Sequence, residues 1–152
     1  MRSYIKTLKK TNKILLIIQR SNGDVLLSFS LIKALFDNFN RPQIDILVND
    51  DTIQVAKIMP FINHIYTFSY LKKQASRFKQ EQNLISSIFR KYDLSINLTS
   101  SDRSVAYAIL ASKNSISAIE KNPKKSWWKK YFLSLHYYFD SSKHILLSLI
   151  HI

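Results

Sequence analysis

The chain has 152 residues, one glycine, no cysteine, and 23 basic against 10 acidic side chains. Average usage of about 7% would give roughly ten glycines; a dinucleotide fingerprint and a phosphate-binding loop, which need several, are excluded, as are glycine-built hairpins and collagen-like repeats. The absence of cysteine excludes a disulfide framework, a thiolate nucleophile and a sulfur-based zinc site, and fits a reducing compartment, while the net charge of +13 points to an anionic partner: nucleic acid, an anionic membrane face or a phosphorylated substrate.

An apolar fraction of 46% with 12% aromatics is enough for one packed domain. Residues 1–12 read as a basic arm. Arg2, Lys6, Lys9, Lys10 and Lys13 precede Ile14-Leu15-Leu16-Ile17-Ile18 in the manner of a secretory leader. That apolar run is shorter than the about 7–15 residues a leader needs, and Gln19-Arg20 closes it. No run approaches the about 18 apolar residues of a membrane span. Residues 13–19 instead predict a strand covered on both faces.

A polar turn over 20–24 holds Gly23. From Val25 the period changes: Val25, Phe29, Ile32, Phe36 and Phe39 line one face of a helix, closed by Asn38, Asn40 and Pro42. Ile44, Ile46 and Val48 alternate as a second strand, a short helix follows at 52–58, and residues 64–68 form a third strand. Residues 71–91 predict a helix with Phe78, Ile85, Ile88 and Phe89 inward. Its Lys72, Lys73, Arg77, Lys79, Arg90 and Lys91 face only Glu81 in return. Leu94, Ile96 and Leu98 make a fourth strand. Thr99-Ser100-Ser101-Asp102 caps a helix at 103–112 with Val105, Ala108 and Ile109 inward. Residues 115–119 give a fifth strand, 127–139 an aromatic helical segment, and 143–152 an apolar helix. The alternation predicts an α/β fold: an open parallel Rossmann-like sheet with helices on both faces, binding ligands beyond the carboxyl ends of its strands. The chain stops inside the apolar run Leu147-Ser148-Leu149-Ile150-His151-Ile152, where termini are usually polar. The expectation is a cut reading frame or a second half encoded elsewhere.

Asp24 follows Gly23 at the strand-to-helix turn where such sheets gather ligands. Two readings stand: a general base taking a proton from a substrate hydroxyl, or the N-cap of the helix at Val25, with Gly23 serving backbone geometry. One oxygen for each task reconciles them. The amides of residues 22–25 open a helix and can hold an anion. Arg20 either reaches the same pocket or is a solvated turn residue. A second cluster, Lys124-Lys125-Ser126-Trp127-Trp128-Lys129-Lys130-Tyr131-Phe132, brackets two tryptophans with four lysines. It fits an anionic bilayer or glycolipid, a helix packing its aromatics into the core, or stacking on single-stranded nucleic acid; the glycolipid is the expected partner and nucleic acid is not. His64, His136, His144 and His151 form no His-x-x-x-His pair or His-Glu cluster, so no metal is expected. No serine sits in a nucleophile elbow.

The run Lys13-Ile14-Leu15-Leu16-Ile17-Ile18-Gln19-Arg20-Ser21-Asn22-Gly23-Asp24-Val25-Leu26-Leu27 resembles the opening of glycosyltransferase family 9, the lipopolysaccharide heptosyltransferases: an apolar strand, a polar turn, Gly-Asp-Val/Met-Leu-Leu and a helix. Leu31-Ile32-Lys33-Ala34-Leu35, Ile44-Asp45-Ile46-Leu47-Val48, Tyr92-Asp93-Leu94-Ser95-Ile96-Asn97-Leu98 and Arg103-Ser104 follow in the family's order. His144 with Leu146, Leu147 and Leu149 resembles its approach to a second domain. Ser30, Asn97 and Ala118-Ile119-Glu120 depart from the pattern, which often has proline, aspartate and a later glycine there.

The resemblance implies two Rossmann-like domains across a cleft, the GT-B arrangement. Residues 13–140 would be the domain that takes an anionic lipopolysaccharide acceptor, and 141–152 the start of a linker helix to a C-terminal domain binding the ADP-heptose donor. Asp24 is implied as the base for an inverting transfer with no obligatory metal. Arg20, Ser21, Asn22 and Gly23 are the expected substrate contacts beside it; Arg103, Lys124, Lys125, Trp127 and Trp128 are those farther along the chain. No cofactor is expected. This chain alone would be inactive, and its place would be cytoplasmic, peripheral at the inner membrane. The alternative is a non-catalytic basic α/β module on anionic glycolipid, membrane or nucleic acid.

Overall fold

A computed structural model of the chain describes residues 11–72 and 74–138; the expected arm up to residue 10, the helix at 143–152, the linker start at 141–152 and His144 lie outside them. Six strands, β1 (Lys13–Ile18), β2 (Gln43–Asn49), β3 (Ile62–Phe68), β4 (Leu94–Asn97), β5 (Ser115–Ile119) and β6 (Leu135–Tyr138), form one sheet in the order β3-β2-β1-β4-β5-β6. Every pairing is parallel. The helices are α1 (Asn22–Leu27), α2 (Phe29–Asn38), α3 (Ile53–Lys57), α4 (Gln74–Ile88), α5 (Asp102–Ala111) and α6 (Pro123–Phe132). This is the α/β Rossmann-like architecture that the alternating pattern predicts.

Strand alternation divides the core. Ile14, Leu16 and Ile18 of β1 cluster with Val25 of α1, Ile32 and Leu35 of α2 and Ala56 of α3. Leu15 and Ile17 turn to the other face and cluster with Leu84 and Ile88 of α4 and Tyr107, Ala108 and Ala111 of α5. With both faces covered, β1 reads as an unbroken apolar run. Buried Ser95 and Asn97 of β4 and Asp45 of β2 are satisfied. Ser95 Oγ donates to the Ala108 carbonyl (2.7 Å), and the Asn97 amide donates to the hydroxyls of Ser104 (3.1 Å) and Ser117 (2.9 Å). Asp45, 4% exposed, accepts from Tyr92 Oη (2.6 Å) and Asn63 Nδ2 (3.0 Å). Burial and the Asp45 carboxylate push the Tyr92 phenol well above its ordinary value.

Five expectations are corrected. The helix foreseen from Val25 begins at Asn22 and is two helices, parted at Ser28, whose hydroxyl donates to the Val25 carbonyl at 2.6 Å. The helix foreseen at 71–91 is α4 alone, and Phe78 and Phe89 are not inward but 64% and 51% exposed, because Leu84 and Ile88 take the core-facing positions. The segment 127–139 is not one helix: α6 starts at Pro123, and residues 135–138 form β6. Asn122 caps α6, its side chain accepting from Lys124 N, with proline in the first turn where its missing N–H costs nothing.

Chain reversals that usually take glycine are made without it. Asn40, Arg41, Phe61 and Arg90 adopt left-handed backbone angles (φ 56°, 57°, 70° and 52°). Asn40 and Arg90 follow the last turns of α2 and α4, the position most often given to glycine. Phe61 is held by stacking on Phe36, with ring centroids 4.5 Å apart.

Candidate functional site

The strand order reverses direction at β1. The chain moves from β1 out to β2 and β3, then crosses back to β4 on the other side. Connections leaving neighbouring β1 and β4 therefore diverge and open a crevice beyond their carboxyl ends. The turn carrying Arg20–Asp24 forms one wall and the loop Leu98–Ser101 the other. The walls are tied together: the Gln19 backbone N–H donates to Thr99 Oγ1 (3.1 Å), and Leu98 N–H donates to the Ile17 carbonyl (3.0 Å).

Local chemistry sets the α1 turn. Ser21, in extended backbone, is the N-cap, and its hydroxyl accepts from Asp24 N–H. Asp24 sits three residues on, in the Ser-x-x-Asp spacing of a capped first turn, so the expectation of Asp24 as the cap is corrected. Its Oδ2 accepts from Ser21 Oγ and from Arg20 Nε, each at 2.9 Å. Arg20 is thus part of the cluster rather than a solvated turn residue. Burial pushes the Asp24 carboxyl up, but the Arg20 and Ser21 hydrogen bonds and the Arg20 charge outweigh it and hold it below the ordinary carboxylate value. The group is ionised throughout the neutral range, the state in which it can accept a proton. The anion cradle expected from the amides of 22–25 is partly spent, since Asp24 N–H goes to Ser21 Oγ and Val25 N–H to the Ser21 carbonyl.

Gly23 lies in the first turn of α1 with no left-handed angle, and an added Cβ would meet only Ser21 Oγ at 3.9 Å, an ordinary contact. Backbone geometry therefore does not require glycine, contrary to the simplest expectation. Gly23→Ala is expected to raise stability by about 0.4–1 kcal/mol, by restricting the unfolded chain. Urea unfolding checks this, and a loss of stability would count against it.

The other expected contacts divide. Ser21, Asn22 and Gly23 are exposed beside Asp24. Arg103 is engaged elsewhere: Nε pairs with Glu81 Oε1 at 2.8 Å, and the guanidinium lies over the rings of Phe68 (4.8 Å) and Tyr70 (5.5 Å), joining α5 to α4 and the end of β3. Lys124, Lys125 and Trp127 are exposed on α6, whereas Trp128 packs against Val105, Ile119 and Leu133.

Four other residues complete the crevice. Gln19 is 7% exposed, and its side-chain amide has no hydrogen-bond partner among the described residues. Tyr137 of β6 donates to the Asn97 carbonyl at 3.5 Å; burial pushes its phenol above the ordinary value, opposed by the charge of Arg20. Thr99 joins the walls. Lys129 of α6, fully buried, donates to Asp102 Oδ1 (2.6 Å), Glu120 Oε2 (2.7 Å) and the Ser100 carbonyl (3.0 Å), fixing the β4–α5 loop. Burial pulls the Lys129 ammonium down, but the two carboxylates more than offset it and its proton affinity rises. None of this was readable as spacing, because the partners lie 29, 40 and 80 positions apart for Lys129–Ser100, Tyr137–Asn97 and Gln19–Thr99. A concavity of about 370 Å³ lined by Tyr66, Lys72, Lys79 and Asn83 lies between β3 and α4 and does not include Asp24. Among the described residues no group of three metal-ligating side chains gathers, and no helix is long and apolar enough to cross a membrane.

No protein-family model matches the chain. It is 34% identical over 122 residues to lipopolysaccharide heptosyltransferase 3 of Escherichia coli strain K12, and 30% identical over 119 residues to lipopolysaccharide heptosyltransferase 3 of Escherichia coli, covering 76% of this chain in each case. It spans about a third of the length of these relatives (35%). Three solved structures share the fold. The glycosyl transferase family 9 protein from Veillonella parvula has a TM-score of 0.70 at 16% identity, over 91% of this chain and 40% of its own. The E. coli heptosyltransferase WaaC with ADP-2-deoxy-2-fluoro heptose has 0.67 at 13%, over 90% and 45%. E. coli ADP-heptose lps heptosyltransferase II has 0.63 at 19%, over 90% and 40%.

Proposed function

From a chain related to the lipopolysaccharide heptosyltransferases of glycosyltransferase family 9, we propose a domain that receives the acceptor of an inverting sugar transfer and supplies its base. The observation that carries this reading is the Asp24 carboxylate, ionised and oriented by Arg20 and Ser21 at the crevice between β1 and β4. Asp24 takes the proton of an acceptor hydroxyl. The freed oxygen attacks the anomeric carbon of a nucleotide-activated heptose or related sugar from the opposite side, and the nucleoside diphosphate leaves with the bonding pair. Because Oδ2 holds the Arg20 and Ser21 bonds, Oδ1 serves the acceptor. Gln19, with its unpartnered amide, and Ser21, Asn22 and Gly23 line the approach.

The acceptor is the anionic core of lipopolysaccharide, reached at the cytoplasmic face of the inner membrane. The donor, ADP-heptose or a close analogue, binds in the part of such enzymes that this chain does not match. Residues 13–140 act as the acceptor domain, and the chain alone does not turn over. Titration of the isotopically labelled chain separates these roles. A lipopolysaccharide core oligosaccharide is expected to shift the amide signals of residues 19–24 and 99–101, and ADP to leave them in place. Shifts with ADP and none with the oligosaccharide would overturn the assignment.

A further inference from the structure

Helix α6 turns three of its four large aromatic side chains outward. A helix on a sheet normally buries its large apolar side chains, but here Ser126, Lys129 and only Trp128 of the aromatics face inward, with Leu133 just past the helix end, while Trp127, Tyr131 and Phe132 are 70%, 81% and 58% exposed. The inward face is fully used. Lys129 is bonded to Asp102 and Glu120, Ser126 Oγ donates to the Asn122 carbonyl at 2.8 Å, and Leu133 joins Val105 and Ile119. The outward aromatics are therefore not strays from a poorly packed core. Trp127 and Tyr131 stand one turn apart, and the next element, β6, adds Leu135 (47% exposed) and Tyr138 (48%) nearby in sequence. Lys124, Lys125 and Lys130 are exposed around this patch.

We infer that the outward face of α6 is a docking surface for an anionic lipid bilayer. The inference deepens the acceptor reading by naming the surface that brings the domain to its lipid-anchored substrate, and it rests on that reading for its biological setting alone. The chemistry selects the occupant. Protein interfaces deplete lysine from their centres, whereas the headgroup region takes tryptophan and tyrosine together with lysine, the rings at the acyl boundary and the ammonium groups on lipid phosphates. A patch of aromatics interleaved with three unburied lysines matches the second environment. A formal charge of +13 adds long-range attraction.

The test is sedimentation of the full chain with vesicles of phosphatidylcholine alone and with about 30% phosphatidylglycerol, read alongside tryptophan emission. Binding is expected with the anionic vesicles only, with a blue shift from Trp127. The pair Trp127→Ser and Tyr131→Ser is expected to lose about tenfold in affinity, and Lys124→Gln and Lys125→Gln about fivefold each. Neutralising Lys57 and Lys79, exposed on α3 and α4, is expected to change binding far less. Equal loss from that control pair, undiminished binding by the aromatic pair, lipid-free self-association through this face, or tighter binding to a single-stranded oligonucleotide than to anionic vesicles would each overturn the inference. Asp24→Asn leaves vesicle binding intact, so failure here and failure of the base assignment are read separately.

Discussion

Asp24→Asn is expected to lower sugar transfer by about 10²–10⁴, the range lost with a positioned general base, while leaving donor affinity unchanged. The assay joins this chain to the part of E. coli lipopolysaccharide heptosyltransferase 3 that it does not match. The substitution is nearly isosteric, and its structural cost is small. It weakens one partly buried pair to Arg20 four residues away, whose side chains are 29% and 15% exposed, worth about 0.3–0.5 kcal/mol, and removes a negative charge from the first turn of α1, worth about as much again. A loss of three orders of magnitude in rate beside a stability change below about 1 kcal/mol would identify chemistry rather than folding. The pH dependence has a defined sign. A base must be deprotonated, so transfer falls as pH drops through the Asp24 pKa, which Arg20 and Ser21 hold below the ordinary value. The Asp24 limb of the profile is therefore displaced to acid and activity is level toward neutrality. Arg20→Gln removes the charge that lowers the pKa and is expected to move that limb upward. Full activity in Asp24→Asn would remove this residue from the mechanism.

The largest structural effect is expected at Lys129. Its side chain is fully buried, while its partners Asp102 and Glu120 remain 73% and 37% exposed. Removing a partner of a buried ion pair typically costs about 3–5 kcal/mol when the remaining charge is stranded away from water. Here the stranded carboxylates reach solvent, which lowers the cost, while loss of the buried stem leaves a cavity, which raises it. Lys129→Ala is expected to destabilise the chain by about 2–4 kcal/mol in urea, and Lys129→Met, which keeps the stem, by roughly half as much. Because the folded state raises the Lys129 pKa, its contribution is complete below the unfolded value near 10.4 and is lost as pH rises through the higher folded value. The difference between wild type and Lys129→Met is thus expected to be flat from neutrality to about pH 10 and to narrow above it. A difference that grows with alkaline pH would contradict the geometry.

The strands near the centre of the sheet were legible because burial on both faces demands unbroken apolar runs, and β1 obeys that demand. β6 was not. It is four residues long, mostly exposed, and reads Leu-His-Tyr-Tyr, so burial imposes little pattern on it. The start of α6 is legible, since Asn122-Pro123 is a capping pair that marks a helix starting four residues before the first tryptophan. Reading those tryptophans and lysines as one cluster hid the split between an outward Trp127 and an inward Lys129. At the candidate site, Arg20 through Asp24 are contiguous and could be gathered from order alone. Thr99, Tyr137 and Lys129 reach the crevice only through the folding of distant strands. Arg103 is an expected substrate contact only through the family resemblance of Arg103-Ser104. Its pairing with Glu81 and two aromatic rings depends on how α4 and α5 lean together, which no local pattern encodes.

The left-handed residues Asn40, Arg41, Phe61 and Arg90 share a location: each lies where a helix or turn returns to the amino end of a strand. Asp24, Thr99 and Lys129 sit at the opposite rim, about 20 Å away along a six-residue strand. The molecule thus keeps its strained joints and its chemistry on separate margins of one sheet. Evolution, or an engineer, can relax the first margin toward greater robustness without redrawing the second.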